Sequence, residues 1–440
     1  MPFLWNLSLF NPIRSTNIAF LRNSEEADSF SVERKYLDRK MTFIELGLQP
    51  FLTDRCESLG YTEPTPIQNQ AIPLVLDGKN VIATAETGTG KTAAFLLPIL
   101  QNLGKKQQKG TTVLILSPTR ELANQTDAFC RDFAPKHIRC ASIIGGAGYR
   151  NQIDAIKRGA NIIVATPGRL IDFMEQGMIN FSKIDVLVLD EADRMLDMGF
   201  LPAIKRIVKV LPEKRQTLFF SATLSYDIEK IALSIMDDPN YVEISRRGTA
   251  AVTIEQMAYP VAQQSKMSLL LDLLERETFE RVLVFTRTKR GADRLSHILE
   301  ARSHKSNRIH GDRSQSQREA ALRSFKTGKT RVLVATDVAA RGIDIDSVSH
   351  VINYDIPEAP EDYVHRIGRT GRAGNKGRAI TLFTTAEEHS MRAIEKLTGQ
   401  AVERVLLPDF GGVLTSMHAP VNKVSPSKKS FRSFRPRRGR

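Results

Sequence analysis

Residues 186–200 read VLVLDEADRMLDMGF: an apolar run leads straight into Asp190, Glu191 and Asp193, three carboxylates within four positions. Like charges at that spacing repel, and the Val/Leu run before them reads as a buried strand, so a cation or charged ligand is expected where the strand ends. A second stretch supplies the matching chemistry. Residues 85–92, AETGTGKT, follow a short apolar run and precede the amphipathic pattern KTAAFLLPILQNL, the strand, loop and helix context of a phosphate loop. Gly88 and Gly90, set among Glu86, Thr87 and Thr89, let backbone N–H groups close around phosphate oxygens. Lys91 is placed to reach the β- and γ-phosphates, and the Thr92 hydroxyl to ligate Mg²⁺. Ala85 stands where the pattern usually begins with glycine. Taken together, the two stretches predict nucleoside triphosphate hydrolysis. Asp190 serves as a second arm on Mg²⁺ through water, Glu191 orients and activates the attacking water, and Asp193 ties the acidic loop to its neighbour. Asp197 fits a solvated turn.

These residues need a scaffold that brings them to one edge. Short β-branched and Leu-rich runs alternate with helical patterns over residues 70–385, which predicts an α/β fold with parallel strands and helices on both faces. In such sheets ligands collect at the carboxyl ends of the strands. Each candidate strand opens onto a polar motif: NVIATA onto ETGTGKT, TVLILS onto PTRELA, NIIVA onto TPGR, DVLVL onto DEAD and TLFF onto SAT. After the break SRRGTAA at 245–251 the plan repeats, with RVLVF before TRTK, RVLVA before TDVAARGIDI, and HVINYD before a segment ending in HRIGRTGR. The pattern predicts one domain over 41–245, a linker at 246–251 and a second domain over 252–410, with a cleft between two similar sheets.

Composition sets the outer limits. A chain of 440 residues, 41% hydrophobic and 25% charged, has the material for more than one globular core. Cys56, Cys130 and Cys140 show neither CxxC pairing nor metal-ligand spacing, which points to free thiols in a reducing, cytoplasmic setting. The net charge of +14 implies a polyanionic partner, and residues 421–440 carry eight cations and no acid. That tail, 411–440, has too few large apolar residues to fold and is expected to attach to RNA or ribosomes, with Phe431 and Phe434 able to stack on bases. Residues 1–40 begin apolar and arginine-bearing; they are either a targeting or unstructured extension, or they lie upstream of a true start at Met41. The apolar run there is too short and broken to span a bilayer, and no membrane partner is expected.

The ordered motifs between residues 41 and 410 resemble those of the DEAD-box ATP-dependent RNA helicases, and within them the bacterial RhlE-like branch. The resemblance implies two tandem RecA-like domains that close on ATP and single-stranded RNA. It makes GYTEPTPIQ an adenine-reading element, with the Gln68 amide on the base edge and Phe43 packed beside it. It implies that Arg369 and Arg372 of HRIGRTGR reach the γ-phosphate, that Gly342 and Asp344 approach the ribose, and that Ser221 and Thr223 with His365 and Arg366 couple the two halves. On the RNA side it selects Arg120, Gly145, Gly146, Thr166, Arg169, Arg287, Arg318 and Thr336. None of these groups forms a base code, so binding is expected to be sequence-independent.

The expected activity is ATP hydrolysis gated by RNA, with local separation of short duplexes or remodelling of ribonucleoprotein by a monomeric core. Ribosomal precursors or the RNA-decay machinery are the expected settings. A competing reading is an ATP-gated RNA clamp or scaffold; a DNA translocase would share the phosphate loop without this combination of adenine element, DEAD and HRIGRTGR.

Overall fold

The computed structural model describes residues 41–85, 88–106, 110–244, 254–276, 279–340, 348–371, 377–407 and 410. The expected extension at 1–40, the linker at 246–251 and the tail at 411–440 lie outside the described residues.

The apolar runs form strands. In the first half these are β1 (Val81–Thr84), β2 (Val113–Leu116), β3 (Cys140–Ile143), β4 (Ile162–Ala165), β5 (Val186–Leu189), β6 (Gln216–Ser221) and β7 (Asn240–Glu243). In the second they are β8 (Ile254–Pro260), β9 (Val282–Phe285), β10 (Ser306–Ile309), β11 (Val332–Ala335), β12 (His350–Asn353), β13 (Gly377–Phe383) and β14 (Glu403–Arg404). The first sheet has the order β3-β4-β2-β5-β6-β1-β7, and the second β10-β11-β9-β12-β13-β8-β14. Adding seven to each number in the first order gives the second, so one winding is used twice. Every strand pair is parallel.

A parallel sheet needs helices on both faces, and alternate residues show where they sit. Val113 and Ile115 join one hydrophobic cluster and Leu114 and Leu116 the other; Val282 and Val284 face one way, Leu283 and Phe285 the opposite. Several helices start at a hydroxyl placed just past a strand. The Thr119 Oγ1 accepts from Leu122 N–H at 3.3 Å and the Thr288 Oγ1 from Gly291 N–H at 3.0 Å. Such a cap fixes the loop between strand end and helix, where the chemistry lies. Among the described residues no helix is long and apolar enough to cross a membrane.

The strand order sorts the motifs. β5, β6 and β1 are neighbours, and from their ends leave the acidic loop, SAT and the phosphate loop. β3, β4 and β2 form the other half of the sheet and lead to Gly145–Gly146, TPGR and PTRELA. One edge of one sheet thus presents the motifs expected to bind nucleotide and those expected to bind RNA next to each other.

Candidate functional site

The phosphate loop leaves β1 at Thr84, where the Ala85 N–H still donates to the Ser221 carbonyl of β6 at 3.1 Å. Gly88 and Gly90 have φ of +88° and +91°, a region side chains avoid, and a Cβ on Gly90 would overlap the Gln68 amide. Lys91 starts the helix Lys91–Lys106 and is buried, its Nζ donating to the Ala85 carbonyl at 2.8 Å. Burial pulls its ammonium down, against the charges of Asp193, Glu191 and Asp190. Thr89 and Thr92 are half-buried on either side of Gly90 and Lys91. Glu86 and Thr87 lie outside the described residues.

Gln68 is buried and sits at the start of the helix Pro66–Leu76. Its Oε1 accepts from Thr65 N–H at 2.9 Å and its Nε2 donates to the Gly90 carbonyl at 3.2 Å. The amide therefore links its own helix cap to the phosphate loop, with one further N–H and one lone pair beyond these bonds. Phe43 is buried in the hydrophobic cluster that includes Leu46, Leu52 and Ile67.

The acidic loop leaves β5 through Glu191, whose φ of +49° and ψ of +53° are left-handed. For a residue with a side chain that conformation costs on the order of 1–2 kcal/mol. It turns the chain sharply into the helix Ala192–Asp197 and puts Asp190, Glu191 and Asp193 side by side, all buried. Asp193 has its partners: its Oδ2 accepts from Ala222 N–H and Thr223 N–H at 3.0 Å each, and from the Thr223 hydroxyl at 3.2 Å. The expected link between SAT and the acidic loop is therefore carried by Thr223. Ser221 differs; its hydroxyl donates to the Thr223 carbonyl at 2.6 Å and braces the turn from within.

Glu191 carries a bond to Arg194, with Oε2 and Nη1 2.5 Å apart and both side chains buried. Burial raises the Glu191 carboxyl, but Arg194, then Arg369 and Lys91, outweigh it and bring it down to about 2. Asp190 goes the other way. Burial, then the Glu191 charge, push it up to about 7 against Lys91. Its Oδ2 is buried with no hydrogen-bond partner among the described residues. That orphaned oxygen, with the Thr92 hydroxyl, fits Mg²⁺. Among the described residues no cluster of three or more His, Cys, Asp or Glu makes a protein-only metal cage, and Mg²⁺ is commonly held by one or two side chains with phosphate oxygens and water.

The second half meets this loop. The helix Pro360–Ile367 carries His365 and Arg366, with Arg369 buried just beyond it. Arg194 of the first half shares a small crevice with His365, Arg366 and Arg369 of the second. Burial, with Arg194 beside it, pulls the His365 imidazole down to about 4, against Asp193 and Glu191. Arg366 faces its own domain: Nε and Nη2 grip both Asp337 oxygens at 2.6 and 2.7 Å, while Nη1 donates to Asn353 Oδ1 and to the Asp355 carbonyl. Gly342, Asp344 and Arg372 lie outside the described residues.

Among the residues expected to contact RNA, Arg120 opens the helix Arg120–Phe133 and lies against Gly145 and Gly146, where a Cβ on Gly146 would strike its guanidinium. The glycine pair thus makes room for an arginine. Thr166 is buried at the N-cap of the helix Pro167–Glu175. Arg169 lies over the Tyr149 ring at 5.5 Å and 3.6 Å from Asp172, and its Nη1 is buried without a hydrogen-bond partner among the described residues. Thr336 is buried past β11, its carbonyl accepting from Ala339 and Ala340. Arg287 is half-exposed past β9. Arg318, in the helix Gln315–Lys326, reaches across to Glu121 with 2.7 Å between Nη2 and Oε1. Glu121 and Arg194 escaped the sequence reading. Arg194 had a signal, three residues past Glu191 on a helix, whereas nothing local marks the partner of Glu121.

Comparison with known proteins agrees with this geometry. Residues 65–231 match the model of the DEAD/DEAH box helicase family and 265–374 that of the helicase conserved C-terminal domain. The chain is 44% identical over 369 residues to the ATP-dependent RNA helicase CshA of Listeria monocytogenes, covering 84% of this chain and 71% of that one. The relatives reported at this level are named CshA, so the narrower RhlE-like resemblance gains no support. The fold superposes on S. cerevisiae Dbp5 bound to RNA and ADP BeF3 with a TM-score of 0.77 at 33% identity, over 84% of this chain and 96% of that one. It superposes on Mss116p bound to ssRNA and AMP-PNP with a TM-score of 0.78 at 28% identity, over 84% of this chain and 80% of the other. With two equally wound parallel sheets whose facing edges carry the phosphate loop, the acidic loop and the arginine helix, the chain belongs to the DEAD-box ATP-dependent RNA helicases.

Proposed function

We propose that hydrolysis in this helicase is completed only when RNA holds the two halves, 41–245 and 252–410, against each other. The observation that carries this reading is the meeting of Arg369 and His365 with Glu191, Asp193 and Arg194, which come from different sheets. Lys91 binds the β- and γ-phosphates, and Gln68 with Phe43 selects adenine. Glu191 orients the attacking water and receives its proton, while Arg369 and Arg372 stabilise the charge on the transferring phosphoryl group. Gly342 and Asp344 hold the ribose. Thr92 and Asp190 would hold Mg²⁺, which supplies positive charge between the phosphates and the acidic loop. Asp193 and Thr223, with Ser221 bracing their turn, pass the state of that loop to the strand end beside it, and Arg366 fixes the helix that brings His365 and Arg369.

Arg120, Gly145, Gly146, Thr166 and Arg169 of the first half, and Arg287, Arg318 and Thr336 of the second, grip the sugar-phosphate backbone of one strand. Contacts to 2′-hydroxyls favour RNA over DNA. Closure on one strand bends it, so a short duplex cannot stay paired and opens locally. The setting is cytoplasmic RNA remodelling in ribosome assembly or RNA decay by a monomeric core.

Steady-state ATP hydrolysis without nucleic acid, with single-stranded RNA and with DNA of the same sequence tests the reading, with Glu191→Gln as control. RNA alone should stimulate, and the substitution should remove at least about a hundredfold of turnover. Equal stimulation by DNA would defeat RNA gating. Tight retention on RNA without strand separation would favour the clamp.

A further inference from the structure

Three charged groups, Lys266, Asp355 and Glu387, meet behind Arg287, and the mechanism above uses none of the three. Lys266, at the start of the helix Lys266–Arg276 that follows β8, has no solvent exposure. Its Nζ donates to Glu387 Oε2 at 3.0 Å and lies 4.0 Å from Asp355 Oδ1. Both carboxylates turn their second oxygen to Arg287. Asp355 Oδ2 accepts the Arg287 backbone N–H at 2.9 Å, and Glu387 Oε1 accepts from Arg287 Nη2 at 3.1 Å. Glu387 is itself fixed, since its Oε2 also accepts from the Thr384 N–H at 2.9 Å and the Thr384 hydroxyl at 3.0 Å. Segments following β8, β12 and β13 thus converge on one residue at the end of β9.

A buried lysine between two carboxylates is not explained by packing, because an apolar residue of similar volume commonly serves a core as well or better. The arrangement has a specific electrostatic result. Arg287 with Asp355 and Glu387 alone would be net negative and would repel phosphate; Lys266 makes the quartet neutral while leaving both anchors in place. We infer that Lys266, Asp355 and Glu387 are positioning residues that hold the Arg287 guanidinium ready for an RNA phosphate. The Arg287 side chain is 45% exposed, and among the described residues its side-chain hydrogen bonds leave from Nη2, to the Ile356 carbonyl at 3.4 Å and to Glu387 Oε1. A fixed fork loses less freedom on binding than a mobile one. The inference rests on Arg287 being an RNA contact, as proposed above.

The test is the concentration of single-stranded RNA that half-saturates ATP hydrolysis by the full chain carrying Arg287→Gln, Glu387→Gln or both. Arg287→Gln should raise it about tenfold and Glu387→Gln about fivefold, and the double variant should match Arg287→Gln alone. No rise with Glu387→Gln, or a fall because the carboxylate had been competing with phosphate, overturns the inference. So does a full additional loss in the Arg287→Gln background, which would place the effect of Glu387 elsewhere. No effect of Arg287→Gln removes the RNA role of Arg287 itself, and that result is separable from the others. Urea unfolding midpoints accompany each variant. Should Glu387→Gln fail to fold, Glu387→Asp keeps the charge beside Lys266 but withdraws from Arg287, and should raise the half-saturating RNA about threefold.

Discussion

Asp190 and Glu191 are adjacent, equally buried and perturbed in opposite directions, because only one of them has a cation bonded to it. Arg194 and Arg369 hold Glu191 ionised, so its contribution to stability is present above about pH 4.5 and is lost as pH falls toward 2. Asp190 has the opposite sign. Its folded form keeps a proton that the unfolded chain has released, so stability falls as pH rises from about 4 to 7. In protein free of nucleotide and divalent cation, Asp190→Asn should therefore raise the unfolding free energy by roughly 2 kcal/mol at pH 8 and by little at pH 4. Urea titrations at the two pH values measure this. An equal gain at both would mean that the buried charge is not the source of the strain. The same substitution should abolish ATP turnover, as expected of a site in which an uncompensated carboxylate awaits positive charge. Asp193 shows the contrast: the same residue type three positions on is saturated by the SAT turn and reads as a fastener between loops.

The helix Pro360–Ile367 shows how an element places chemistry it does not itself perform. Its position is set by Arg366, whose planar fork takes both Asp337 oxygens while Nη1 reaches Asn353 and the Asp355 carbonyl, with the guanidinium 5.0 Å from the centre of the Phe285 ring. Arg366→Lys keeps the charge but loses the fork, and should cost about 2–3 kcal/mol of stability in the second half. ATP turnover should fall with it, because His365 rides on this helix and Arg369 follows just past its end; thermal unfolding and hydrolysis assays check the pair of effects. Sequence alone located the cations but neither the helix that carries them nor what holds it, since Asp337 and Asn353 come from other strand ends and no spacing links them to Arg366. The same division runs through the fold. β1, β2, β4, β5, β6, β9, β11 and β12 were legible because an unbroken apolar run ends at a polar motif. Edge strands β3, β7, β10 and β14 are only partly covered, and SNRI or NYVE has no run to read. β8 and β13 escaped for another reason, their polar or small residues being placed by pairing with each other over seven positions.

At the scale of the whole molecule, the two halves touch at both ends of the cleft, and the contacts differ in kind. On the nucleotide side cations of the second half face the acidic loop. On the side proposed to bind RNA, Arg318 is paired with Glu121, both side chains nearly covered, with Gln315 Nε2 donating to the same Glu121 oxygen at 3.4 Å. Arg318 is also a proposed RNA contact, so the Glu121 carboxylate occupies the guanidinium that a phosphate would take. Breaking a covered pair from one side leaves the other charge stranded, at a cost of roughly 3 kcal/mol to the closed arrangement. Glu121→Gln should therefore shift the protein further toward the open arrangement, and a phosphate arriving with RNA and nucleotide should restore closure by replacing the lost carboxylate. Arg318→Gln should open it equally, yet RNA should restore less, because the group that receives the phosphate is gone. Energy transfer between dyes on the two halves, read with and without single-stranded RNA and a non-hydrolysable ATP analogue, separates the two variants. Identical recovery in both would show that Arg318 serves only to join the halves. A closed Glu121→Gln protein without RNA would show that the nucleotide-side contacts alone keep the cleft shut.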